Sequence, residues 1–417
     1  MIRMIRKPSL VSSLASLLAC GHATAEPTSS STGASDEDGS TTPVGSSGGT
    51  TDVASTTADS SGSGGGTTGE PGACADQQLR ALPEDPGTLG PWPVGARTID
   101  LDGLTVEVWY PAQPGSERGA TKAIYDIREQ LPASEQGKIS DADNPWQPCE
   151  CYRELAPDLE YGPYPVIVFV HGTASFRTQS LPQMVHWASR GFVVVAADHP
   201  GLKLGDLLGS ACGAGNVAQD LDGDLERVLA AVQGRGDALA FLGDRQDGTR
   251  VGMAGHSAGG AAIASWGDRA AVLVPLAAGG TQAGATLRST LVMGGTADSV
   301  VDYGAQQDGY GTSPSPKRLV GIAEGGHLGF SEICSLANAA GDDLLEVATA
   351  AGVCGAQFAG LLFQCSPDLI ADADAWAIID YATTAAFEET LQCRDATAAF
   401  DAIAARFDGV AEYLSMP

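Results

Sequence analysis

Residues 251–260 read VGMAGHSAGG, and within them 255–259 form the pattern G-x-S-x-G around Ser257. With 54 glycines among 417 residues, the string alone carries little weight, and 45–49 (GSSGG) satisfies it a second time. Context separates the two. Residues 250–254 read as a short buried strand and 258–266 as an alanine-rich helix, with Gly255 and Gly259 placed where a sharp strand-to-helix turn leaves no room for a side chain. Ser47 has neither flank. The first turn of the helix after Ser257 also favours developing negative charge. The competing reading of Ser257 is a plain helix N-cap.

Working outward, 166–170 (VIVFV) and 192–197 (FVVVAA) are continuous apolar runs rich in β-branched residues, as strands buried on both faces should be. Between them 180–190 reads as a helix closed by Gly191. A second helical stretch, 220–233, spaces Leu221, Leu225, Val228, Leu229 and Val232 along one face. Short apolar runs recur at 271–275, 290–293 and 318–322. This alternation predicts an α/β fold, a mainly parallel central sheet with helices on both faces. Residues 105–110 (TVEVWY) alternate polar with apolar and are expected to form an antiparallel edge strand. In such sheets function gathers at the carboxyl ends of the strands.

That rule ranks the remaining candidates. A serine hydroxyl needs a base within hydrogen-bond reach. Outside the amino-terminal segment the histidines are His171, His186, His199, His256 and His327. His327 lies in 323–329 (AEGGHLG), directly after the strand 318–322, and is the chosen base; a surface-loop histidine is the competing reading. His256 shares the tight turn with Ser257 and should point elsewhere, while His186 falls inside a helix. The acid that holds the base is assigned to Asp298, in 294–298 (GGTAD) after the strand 290–293, ahead of Asp302, read as a solvated loop acid. The order Ser, Asp, His, each after a successive strand, is that of the α/β-hydrolase fold. The N–H groups of Ala258 and Thr173 are the expected oxyanion donors, with His171 propping the loop that carries Thr173.

The amino end has a different character. Residues 1–19 carry Arg3, Arg6 and Lys7 before a short apolar stretch, and 17–20 (LLAC) resemble a lipoprotein processing site with Cys20 as the lipidated residue. Residues 20–73 lack the large apolar groups needed to offset ordering entropy; as a coil this tether would average about 40 Å end to end. The folded domain is therefore expected over 74–417, with extra segments at 123–163 and 331–393. A formal charge of −28 argues against nucleic acid and against anionic headgroups, so membrane attachment would come through the lipid of an exported lipoprotein. The chain has nine cysteines, and the eight besides Cys20 point to disulfides of open pairing. Cys149-Glu150-Cys151 has no histidine nearby and the wrong spacing for zinc, so a disulfide or free thiols are expected. In 220–224 (DLDGD) the glycine is misplaced for a calcium loop, and an acidic helix start is the better reading.

Six stretches together resemble the α/β-hydrolase serine esterases that include platelet-activating-factor acetylhydrolases, with cutinases and polyester hydrolases nearby: 90–112, 164–180 (YPVIVFVHGTASFRTQS), 188–201 (ASRGFVVVAADHPG), 250–260, 291–301 (LVMGGTADSVV) and 325–334 (GGHLGFSEIC). The resemblance implies a serine ester hydrolase that needs no cofactor or metal, with nucleophile Ser257, acid Asp298, base His327 and oxyanion donors Thr173 and Ala258. Its substrate would be an ester, with phospholipid or polyester hydrolysis as narrower alternatives and a peptidase, a lactone hydrolase or an inactive surface binding protein as competitors. A lactone hydrolase of the dienelactone type would carry Cys at the turn, where this chain has Ser257. Residues 274–278 (VPLAA) lack the aromatic platform expected of a polyester hydrolase, and the interval 275–290 is too short for an inserted lid.

Overall fold

Residues 164–170, β5 (Tyr164–Val170) in chain order, are buried at every position, because the sheet they belong to is covered on both faces. The computed structural model describes residues 74, 76–234, 236–359, 363 and 365–417, which fall within one compact unit. The signal, Cys20 and tether expected over 1–73 lie outside the described residues. The other strands are β1 (Val94–Leu101), β2 (Leu104–Pro111), β3 (Lys122–Tyr125), β4 (Gln147–Arg153), β6 (Val193–Ala197), β7 (Gln246–His256), β8 (Val272–Leu276), β9 (Ser289–Gly295), β10 (Lys317–Ile322) and β11 (Val410–Met416). They form one 11-stranded sheet in the order β11-β10-β9-β8-β7-β5-β6-β2-β1-β4-β3.

From β6 through β10 every neighbouring pair is parallel. Alternate side chains of β5 feed two separate cores. Ile167 and Phe169 pack with the helices Leu181–Ser189, Asp372–Leu391 and Thr397–Arg406, through Met184, Trp187, Ile379, Phe387 and Phe400 among others. Val166, Val168 and Val170 pack on the other face with Leu225, Val228 and Val232 of the helix Leu221–Val232. This is the α/β-hydrolase fold: a mainly parallel central sheet with helices on both faces.

One expectation is corrected. β2 is antiparallel to β6, but it is an interior strand, hydrogen-bonded to β1 on its other side. The residue that gave it an amphipathic look, Glu107, is completely buried. Its carboxylate accepts from Thr98 Oγ1 (2.7 Å) and Tyr125 Oη (3.1 Å) and pairs with Arg153. The extra segments also resolve into distinct parts. Residues 122–125 and 147–153 extend the sheet edge as β3 and β4, and the 20-residue helix Asp372–Leu391 is a layer of the core.

Four disulfides, Cys74–Cys393, Cys149–Cys151, Cys212–Cys354 and Cys334–Cys365, use all eight cysteines of this region. Cys74–Cys393 spans 319 residues of sequence; closing so long a loop contributes about 2–5 kcal/mol by limiting the unfolded chain.

Candidate active site

Ser257 occupies the turn between β7 and the helix Ala258–Ile263, at φ 55° and ψ −118°. An L-residue there carries about 1–3 kcal/mol of strain, so its surroundings must enforce it. The Ser257 N–H donates to Leu276 O at the end of β8 (2.9 Å), and its carbonyl accepts from Ala261 N–H (3.0 Å). A side chain on Gly255 would collide with the Gly259 carbonyl, and one on Gly259 with the Val170 carbonyl. The turn closes only with both glycines in place.

His327 begins a 3-10 turn, His327–Phe330, beyond the end of β10. Its Nε2 lies 2.9 Å from Ser257 Oγ, and its Nδ1 lies 2.9 and 3.1 Å from Asp298 Oδ2 and Oδ1. Asp298 follows β9 and is buried. Its Oδ1 accepts the N–H groups of Val300 (2.8 Å) and Val301 (2.9 Å), and its Oδ2 accepts from Gln306 Nε2 (3.1 Å). A carboxylate so surrounded only accepts, which assigns the imidazole proton to Nδ1 and leaves the Nε2 lone pair facing the serine hydroxyl. The alternative acid, Asp302, is exposed and caps the helix Tyr303–Thr312, accepting from Gly304 N–H (2.9 Å).

His256 faces away from Ser257 Oγ, as its place on the turn requires. Its Nε2 donates to the backbone carbonyl of His327 (2.8 Å), and its ring lies 4.8 Å from that of His327. Burial, and then the neighbouring His327, push its pKa down to about 3, so it stays neutral and steadies the loop that carries His327.

The loop after β5 runs against Ser257: a Cβ on Gly172 would stand 2.8 Å from His256 Nδ1 and 3.3 Å from Ser257 Cβ. His171 holds this loop. Its Nε2 accepts the His199 N–H (3.1 Å), so its proton is on Nδ1, which donates to Gly172 O (2.8 Å). Burial, and then His199, lower its pKa to about 4. The Gly172 carbonyl and the Thr173 N–H share one planar trans peptide and point in opposite directions, so a clamp on the first aims the second. His199 in turn places Nδ1 3.0 Å from Asp224 Oδ2. Burial favours protonation of Asp224, yet the bonds from His199 and Arg227 bring its pKa below the ordinary value. Neither Thr173 N–H nor Ala258 N–H donates to an acceptor among the described residues.

Further along the loop, Arg177 pairs with Asp198, whose Oδ1 also accepts the Arg177 N–H (2.7 Å). Gln179 Oε1 accepts the Gly172 N–H (2.8 Å). Both extra segments meet the loop here. Gln147 Nε2 donates to Thr178 O (2.8 Å) and to Glu332 Oε2 (2.9 Å), while Glu332 N–H donates to Gln179 O (2.8 Å). Burial, opposed by the bond from Gln147, pushes the Glu332 pKa up to about 7.

The structure thus brings together Ser257, Asp298 and His327, sets the loop of Thr173 beside them, and puts Ala258 next in chain to the serine. Sequence reasoning missed Gln306, His256 as a support for His327, and His199 and Asp224 behind His171. Only Gln306 carried a usable signal, an amide at the start of the helix that follows Asp298.

A family model for chlorophyllase matches residues 134–269, which include Thr173, Ser257 and Ala258 and end before Asp298 and His327. No curated protein matches the chain. The chlorophyllase match, to a plant esterase family of the α/β-hydrolase type, supports a hydrolase of that class.

Proposed function

We propose that the chain is a serine-dependent carboxylic ester hydrolase in which Ser257 is the nucleophile, His327 the base and Asp298 the acid. The observation that carries this reading is the continuous Ser257 Oγ–His327 Nε2 and His327 Nδ1–Asp298 contact at the carboxyl ends of β7, β10 and β9. Ser257 Oγ adds to the ester carbonyl as His327 Nε2 takes its proton, and Asp298 stabilises the imidazolium. The free N–H groups of Thr173 and Ala258 receive the oxyanion. Collapse expels the alcohol with the proton from His327; a water then repeats the sequence on the acyl-enzyme and regenerates Ser257. We assign 1–19 as a signal and Cys20 as a lipid anchor on the sequence alone, giving an exported enzyme on a tether. Platelet-activating-factor-type and polyester substrates remain narrower forms of the same proposal.

A fluorophosphonate probe tests the assignment. Ser257 Oγ should displace fluoride at phosphorus, giving one phosphonyl adduct per chain that peptide mass spectrometry locates on Ser257. A protein left unlabelled, or labelled elsewhere, would remove Ser257 from the nucleophile's role.

The His171 clamp makes a second expectation. An oxyanion donor acts on charge present only in the transition state, and losing one costs about 10²–10³ in kcat. His171→Ala frees the Gly172–Thr173 peptide and should lower kcat by about 10–10³-fold with KM little changed. A rise in KM at constant kcat would show that the loop binds substrate instead.

A further inference from the structure

A pocket lined almost wholly by apolar side chains, whose roughly 640 Å³ includes space open to solvent, lies on the same side as the loop that carries Thr173 and Phe176. It is built from parts that the sheet does not need: residues 127–145, the helix Leu204–Ala211, and the segment carrying the helices Leu344–Ala350 and Ala356–Ala359. Its near wall includes Phe176, three residues beyond Thr173. Phe176 clusters with Leu328, the residue after His327, and with Ile127, Ile333 and Leu336. The far wall is the cluster of Leu131, Ile139, Val347, Val353 and Ala356. Through Ile127 and Phe176 the pocket is continuous with the cluster that holds Leu328, next in chain to His327.

Its chemistry is narrow. Of the lining residues only Arg128 is charged, and its guanidinium is already paired with Asp126 (2.6 Å) and Asp141 (2.7 Å). No free cation is offered to a carboxylate or phosphate. The roof is fixed: Cys212–Cys354 ties it to the helix Leu204–Ala211, Lys138 Nζ donates to Gly352 O (2.8 Å), and Glu135 Oε2 accepts the Cys354 N–H (2.6 Å). A fixed apolar cavity suits the part of an ester that stays on Ser257 through both steps, whereas the alcohol must leave after the first.

We propose that this pocket receives the acyl chain, and that the substrate is an ester of a medium- or long-chain fatty acid. The proposal rests on the esterase reading above and deepens it. Ala348 lines the pocket and is half-buried, so a larger side chain there fills the space without disturbing the sheet. With 4-nitrophenyl esters the leaving group is constant. Wild type should prefer decanoate to acetate, and Ala348→Phe should lower the decanoate-to-acetate ratio of kcat/KM at least tenfold. Leu345→Trp, on the same helix, serves if Ala348→Phe does not fold. Binding of free decanoate to Ser257→Ala, measured by calorimetry, reads the pocket without turnover and should be lost in Ser257→Ala/Ala348→Phe. An unchanged ratio, or decanoate that does not bind or binds both proteins equally, overturns the pocket. Turnover of no ester, together with decanoate binding that Ala348→Phe abolishes, overturns the esterase reading and leaves the pocket standing.

Discussion

Ser257→Ala is expected to lower kcat on 4-nitrophenyl acetate by about 10⁵–10⁶-fold, the scale on which a triad that acts as a unit loses activity when its nucleophile is removed. What remains would be attack by water on a carbonyl polarised by the Thr173 and Ala258 amides. The backbone supplies a second arm. Alanine keeps a Cβ at φ 55°, so Ser257→Ala retains the strain of the turn. Ser257→Gly relieves about 1–3 kcal/mol of it, less up to about 1 kcal/mol for the freer unfolded glycine. The glycine variant should therefore be as inactive as the alanine variant and about 1 kcal/mol more stable in denaturant titration. More than a tenth of wild-type activity in either protein would rule out Ser257 as nucleophile. Equal stabilities would show that the turn stores no strain.

Asp298→Asn should cost about 10⁴-fold in kcat with the fold intact. The reason is visible in the four donors that meet the carboxylate. The amides of Val300 and Val301 converge on Oδ1, so the single carbonyl oxygen of asparagine belongs there. Its NH₂ group then falls at the Oδ2 position, facing Gln306 Nε2 and His327 Nδ1. A donor opposite Nδ1 moves the imidazole proton to Nε2, where it blocks acceptance of the serine proton. Kinetics at neutral pH beside circular dichroism would check this. A loss below tenfold would leave Asp298 without the proposed role and bring Asp302 back into contention.

These expectations begin from residues that could be found along the chain, and it is clear why others could not. A strand buried on both faces must be apolar throughout, which marked 166–170 and 192–197, and the shorter apolar runs 250–254, 290–293 and 318–322 located the carboxyl ends beyond which Ser257, Asp298 and His327 lie. β2 misled because Glu107 looks solvent-facing until Thr98, Tyr125 and Arg153 are brought to it. The helix Asp372–Leu391 buries residues on several faces, from Ile378 and Ile379 to Tyr381, Thr383 and Phe387, so it shows no clean amphipathic period and reads as tail. Supports such as His256 and Asp224 act through single hydrogen bonds across distant loops, which no spacing records. Cysteine pairing is equally a property of the folded chain.

The bond between Cys74 and Cys393 has a topological consequence. It turns residues 74–393 into a covalent ring, from which residues 1–73 and 394–417 leave at neighbouring points. A protease that cuts one exposed loop anywhere in the ring opens it without releasing a fragment. Tension arriving along the chain from residue 73 would be shared, through the sulfur bridge, between the chain that leads to β1 and the end of the helix Asp372–Leu391. A pull on that end is thus handed to a helix whose side chains pack in the core.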